Sequence, residues 1–222
     1  MNASKENRGF RDINWHYTYR TSAVGPSGRP ADILHDFYIP ALSLSIKYDR
    51  MAGYFRSSSL AAASQGFSAF TASQGKMRLV VGADLAEDDV LAILKGDQQR
   101  MADRLDASLG QPESWPENVT QGVELLSWMV AKGILKVRVA FRIHIKTGQP
   151  LSMLSAEDGY VHEKWAVFTD ARGDRLYVSG SLNESRSALM INAENIDVHG
   201  DWWNDIARSR ADDAENTFDT IW

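Results

Sequence analysis

Apolar positions recur along this chain with two periods, near four and at two, and the change between them outlines its elements. From Pro30 the run PADILHDFYIPALSLSI has helical spacing, so a helix is predicted there, with Pro40 kinking or restarting it. KYDRMAGYF, residues 47–55, is short and apolar and reads as a strand, followed by serines able to cap a helix. That alanine-rich helix is predicted over 59–73 and ends at Gly75. KMRLVVGADL reads as a buried strand leading into a helix at about 87–109, then a proline-containing loop at 110–118 and a helix at 119–132 stopped by Gly133.

The clearest alternation covers 135–146. Val137, Val139, Phe141, Ile143 and Ile145 share one face, and Lys136, Arg138, Arg142, His144 and Lys146 share the other. After a polar loop at 147–159, strands at 160–169 and 175–179 flank the turn 170–174 and predict a hairpin. A last strand near 194–199 leads to Asp201, Trp202 and Trp203. Strands alternating with helices early, and clustered late, imply an α/β fold with a central mixed β-sheet flanked by helices. The expected organisation is a lead-in over 1–30 with little regular structure, a domain over 31–205, and an acidic helix or linker over 206–222. Eight acids against two arginines from 194 onward read as a solvated helix face or a chain end.

Composition narrows the classes. The 222 residues are 44% apolar with seven tryptophans, enough for a sizeable core and incompatible with wholesale disorder. The absence of cysteine excludes disulfide scaffolds, thiolate metal sites and cysteine nucleophiles, and fits a cytoplasmic location. With 24 basic residues against 29 acids, the net charge of -5 demands a local basic patch for any polyanion. No signal-peptide core or membrane-spanning run is present.

Phosphate-loop, dinucleotide, zincin and nucleophile-elbow motifs all lack their residues, and the five histidines are too scattered to suggest a metal cluster. The segment 161–198, VHEKWAVFTDARGDRLYVSGSLNESRSALMINAENIDV, is where chemistry concentrates. In a strand, side chains two apart share a face about 6.6 Å from each other, so His162 and Lys164 project together. An imidazole beside an ammonium suits a phosphate, one group attacking or passing a proton while the other neutralises oxygens. Across the hairpin, Gly180, Ser181 and Asn183 offer a closely approachable backbone, a hydroxyl and an amide. Glu194 is placed to hydrogen-bond an imidazole and hold its tautomer.

The constellation resembles the phospholipase D superfamily, whose pattern is HxK, a following Asp, GSxN and a later Glu. Here these are His162, Lys164, Gly180, Ser181, Asn183 and Glu194. Five residues separate Lys164 from Asp170 where the common form has four, so Asp170 is assigned a structural part at most. FYIPALSLSIKYDRMAGYF, 37–55, further resembles the start of phospholipase D-like nuclease domains in front of bacterial superfamily 2 helicases of defence and restriction systems.

The resemblance implies a phosphodiesterase acting on DNA without metal or other cofactor. One histidine forms a phosphohistidine and a second, from another copy of the motif, protonates the leaving oxygen. With one HxK per chain, it implies a homodimer pairing two copies of His162, and a fused or associated helicase as partner. The alternatives are a catalytically inactive DNA-binding module of the same fold and, less favoured, a lipid phosphodiesterase.

Independently of the resemblance, Lys136, Arg138, Arg142 and Lys146, with His144 among them, form a basic row. A strand would carry it over about 33 Å, long enough to track a nucleic-acid backbone. An edge strand protected by charge is the other reading. Trp202 and Trp203 are expected in core or dimer contacts, with base stacking as the alternative. Arg56, after GYF, sits either at a ligand-facing strand end or in a helix cap.

Overall fold

The computed structural model describes residues 8–25, 28–53, 55, 58–82, 125, 129–130, 132–140, 142–149, 161–183 and 189–222. Its centre is a seven-stranded mixed sheet: β1 (Thr18–Arg20), β2 (Ser45–Ala52), β3 (Lys76–Gly82), β4 (Leu135–Ala140), β5 (Trp165–Asp170), β6 (Arg175–Gly180) and β7 (Asn195–Gly200). The strand order is β1-β7-β6-β5-β2-β3-β4. β2, β3 and β4 run parallel, and every other pairing is antiparallel. The mixed α/β sheet expected from the residue pattern is therefore present, and 170–174 is the turn of a β5–β6 hairpin.

One face packs against a π-helical segment, Ile33–Tyr38, continuous with α1 (Ile39–Leu44), and against α2 (Ser58–Ala62) and α3 (Ser64–Ala72). Pro40 lies in the first turn of α1, where a missing N–H is harmless, so it restarts the helix. The core on this face is aromatic: Tyr48 stacks on Phe168 at 4.3 Å, and Phe37 and Tyr38 meet Phe168 edge to face. Each such ring removed from water contributes about 1.5–3 kcal/mol.

The other face is covered by α4 (Asp205–Ile221), whose N-cap Asn204 accepts from the Ala207 N–H at 2.8 Å. Beneath it Met51, Val80, Trp165 and Phe218 form a smaller apolar cluster. Charge surrounds that cluster. The fully buried Asp49 pairs with Arg78 at 2.7 Å and Lys47 at 3.1 Å, while Glu215 pairs with Lys47 and Arg175, and Asp219 with Arg78. The acidic segment is thus a docked helix, and several of its acids bind basic residues of the sheet instead of facing water alone.

Several expectations are revised. Residues before Pro30 are not structurally idle, because Phe10, Trp15 and Tyr19 are core residues and β1 extends the sheet beside β7. The helix expected over 59–73 is split at Ala63, whose backbone leaves helical geometry. β4 stops at Ala140, and a turn follows in which Thr147 N donates to His144 Nδ1 at 3.2 Å. The row from Lys136 to Lys146 is therefore not one straight strand. Trp202 and Trp203 pack at the core margin, Trp203 against Tyr17 at 4.6 Å. The helix expected at 87–109, the loop at 110–118, most of the helix at 119–132, and Arg56 lie outside the described residues. Among the described residues no helix is long and apolar enough to cross a membrane.

Candidate active site

The antiparallel pairing of β2 with β5 sets Met51 opposite Trp165, which brings the chain before β5 alongside the end of β2. The β5–β6 register sets Trp165 opposite Ser179, and Gly180 N bonds the Lys164 carbonyl at 3.2 Å. Three segments distant in sequence, ending in Gly53, leading through His162 to Lys164, and turning through Ser181 to Asn183, therefore meet at one end of the sheet.

Gly53 is the point of convergence. A β-carbon there would lie 3.1 Å from Asn183 Oδ1, 3.2 Å from His162 Cδ2 and 3.2 Å from Lys164 Nζ. Only a hydrogen fits there without displacing a neighbour, and three polar side chains converge on that point. Gly180 serves a different end: a β-carbon on it would stand 2.1 Å from the Asn195 carbonyl oxygen, so only glycine lets β6 and β7 close at the site.

His162 is exposed, while Lys164 and Asn183 are buried. Lys164 Nζ donates to the carbonyl oxygen of His162 at 2.8 Å, which curls the lysine back beneath its neighbour. Burial is the largest influence on this ammonium and pushes its pKa below the ordinary lysine range. The positive charge of Arg50 pushes the same way, and Glu194 opposes both.

Ser181 and Glu194 are joined to each other. Ser181 Oγ donates to Glu194 Oε2 and accepts from Asn195 N at 3.1 Å. Asn192 Nδ2 donates to Glu194 Oε1 at 3.2 Å, and Glu194 N donates to Thr21 Oγ1 at 2.8 Å. A hydroxyl has one proton, so while Ser181 gives it to Glu194 it has none for a phosphoryl oxygen. The carboxylate expected to hold an imidazole is engaged here by Ser181 and Asn192.

Asp170 lies eight residues along the chain from His162, on the order of 25 Å at strand spacing. Its carboxylate accepts backbone N–H bonds from Phe10 at 2.7 Å, Arg172 at 2.9 Å and Asp174 at 3.0 Å. It organises the far turn, in keeping with a structural part. The basic row is also outside the convergence, since β4 is an edge strand separated from β2 by β3. Lys136 and Arg138 are exposed, and Arg138 lies over the Trp222 ring at 4.6 Å.

Arg50 is the residue that sequence reasoning passed over. It is 3% exposed, and its Nη2 donates to the Leu182 carbonyl, between Ser181 and Asn183. The available signal was an arginine inside the apolar strand run 47–55, where a cation is seldom buried without a task.

No protein-family model and no curated protein sequence matches the chain. Among solved structures it is similar to NucT from Helicobacter pylori, at 12% identity and a TM-score of 0.45, covering 82% of this chain and 83% of that one. It is similar also to Nuc from Salmonella typhimurium, a phospholipase D family member, at 12% identity and a TM-score of 0.44, covering 92% and 91%. The yeast tyrosyl-DNA phosphodiesterase overlaps at 6% identity and a TM-score of 0.37, over 82% of this chain and 31% of that one. These overlaps are loose. The chemistry rests on the side chains around Gly53: an imidazole, an ammonium and an amide facing one space on a mixed α/β sheet.

Proposed function

We propose that the chain is a metal-independent phosphodiesterase that cleaves DNA in the manner of the phospholipase D superfamily. The observation that carries this reading is the convergence of His162, Lys164 and Asn183 beside Gly53. A tetrahedral anion seated beside these groups would meet the ammonium of Lys164, and the Asn183 amide, whose Oδ1 lies nearest Gly53, would turn its N–H towards the charge that grows on phosphoryl oxygens.

In this reading a ring nitrogen of neutral His162 attacks phosphorus. A P–N bond forms as the P–O bond to the leaving group breaks, and the leaving oxygen takes a proton from a second, protonated imidazole. Water then attacks the phosphohistidine, losing its proton to that second imidazole, and the P–N bond breaks to restore both rings. The second imidazole is His162 of another copy of the chain, so the working unit is a homodimer with two-fold symmetry. Glu194 supports the site by holding Ser181 and by stabilising Lys164 as an ammonium. Lys136, Arg138, Arg142 and Lys146 guide the DNA backbone, and a fused or associated helicase supplies the substrate. One observation favours a second reading, in which the fold grips DNA without cutting: the Ser181 proton is already given to Glu194.

The test uses DNA and bis(p-nitrophenyl) phosphate with excess EDTA, comparing the wild type with His162→Ala. Cleavage that survives chelation and falls at least about a thousandfold in the variant supports the enzyme. Binding without cleavage supports the second reading, and strict dependence on added metal contradicts the mechanism. An active strict monomer on sizing in solution would refute the shared site.

A further inference from the structure

We propose that Arg50 is a positioning residue of this site: from β2 it holds the Leu182 carbonyl, and with it the amide of Asn183, in register with His162 and Lys164. The inference rests on the phosphodiesterase reading and adds to it a residue from a different strand.

Placement is the first support. Side chains alternate along β2, and Asp49 and Met51 point to the α4 face through Arg78 and Phe218. Arg50 therefore points to the opposite face, and its partner across β5 is Ala166, two residues beyond Lys164 on the same side. Leu182 is itself buried at 4% exposure, so the Arg50 bond and the core hold this turn from two directions. Ser181 and Asn183 flank that fixed point. A shift of about 1 Å in such a group costs as much as a hundredfold in rate.

Charge is the second support. A neutral donor would satisfy a carbonyl, and burying a guanidinium carries a desolvation penalty of several kcal/mol. The positive charge has an effect that a neutral donor lacks, because it raises the potential where a phosphodiester would sit and acts on the Lys164 ammonium. Among the described residues, the titratable groups facing that ammonium are His162 from its own segment, Arg50 from β2 and Glu194 beside β7.

The experiment measures kcat, KM and the pH–rate profile on bis(p-nitrophenyl) phosphate in EDTA, with thermal melting and phosphate binding by calorimetry. It compares wild type, His162→Ala, Arg50→Gln and Arg50→Lys. Arg50→Gln should lower kcat by about 10–100-fold, the cost of misplacing the Asn183 turn by up to about 1 Å, and move the alkaline limb to higher pH. Arg50→Lys keeps the charge, so its limb should stay in place while kcat falls less. A purely structural role would change melting and leave the limb of the folded fraction where it was. Folded Arg50→Gln with wild-type kcat and pH profile overturns the proposal. If that variant does not fold, Arg50→Lys decides: reduced kcat with an unmoved limb supports it, and wild-type kcat overturns it. If neither folds, the role is structural and the proposal falls. A wild type that neither hydrolyses the diester nor binds phosphate sinks the parent reading, whereas an active wild type matched by Arg50→Gln sinks this inference alone.

Discussion

Ser181 gives its hydroxyl proton to the Glu194 carboxylate across the junction between the end of β6 and the start of β7. The same carboxylate favours the charged form of Lys164, against burial and Arg50. Lys164 must be an ammonium to neutralise a phosphodiester, so activity is lost as pH rises through its folded-state pKa, which already lies below the ordinary lysine range. Among the described residues, Glu194 is the group that raises that pKa, and Glu194→Gln removes it. The alkaline limb of kcat/KM should therefore move to lower pH, opposite in sign to Arg50→Gln, and a pH–rate series on both variants checks the pair.

Gly53→Ala tests the convergence of the three side chains directly. Its methyl would stand 3.1–3.2 Å from three polar side chains, tighter than ordinary contact, so those side chains must give way by a few tenths of an ångström. Gly53 is not in the left-handed region, so backbone strain does not oppose the change. The variant should fold with His162, Lys164 and Asn183 displaced, and bind inorganic phosphate at least about tenfold more weakly, a change near 1.4 kcal/mol. Unaltered phosphate affinity in calorimetry would show that the anion does not sit there.

Asp170→Ala separates structure from chemistry. The carboxylate accepts three backbone N–H bonds at the turn far from His162, so removing it leaves buried donors unmet. Chemical denaturation should show a loss of about 3 kcal/mol. Turnover per folded molecule should hold, and a selective loss of kcat at unchanged stability would give Asp170 a catalytic part.

Charge reversal on the basic row tests DNA guidance. The double change Arg138→Glu with Arg142→Glu should weaken DNA binding and reduce the salt slope by about 2, the value for two lost phosphate contacts. Hydrolysis of the small diester should hold, because the row lies outside the convergence at Gly53. Fluorescence anisotropy across a salt series reads the slope, and an unchanged slope would show that these residues do not guide DNA.

The local pattern was readable and the long-range pairing was not. Strands β2, β3 and β5 to β7 follow from short runs whose apolar residues can be buried only in a sheet. The expected strand face for His162 and Lys164 is corrected, since β5 begins at Trp165 and both residues lie in the segment before it, while Ser181 and Asn183 do follow a strand end. Edge strand β1 was missed because it is three residues long and is held by pairing with β7, a partner far along the chain. The acidic C-terminal run looked solvated because its counter-charges, Lys47, Arg78 and Arg175, lie on strands that become its neighbours only on folding.

The sequence by itself determined the sheet class and singled out His162, Lys164 and Asn183 as candidates, since each of these readings depends on residues within a short stretch of one another. Only the tertiary structure decided that they converge at Gly53, that Arg50 reaches the Leu182 carbonyl, and that Ser181 is bound to Glu194. The physical reason is that these contacts depend on which strands lie side by side. Placing β2 against β5 joins segments more than a hundred residues apart, and no local periodicity records that adjacency.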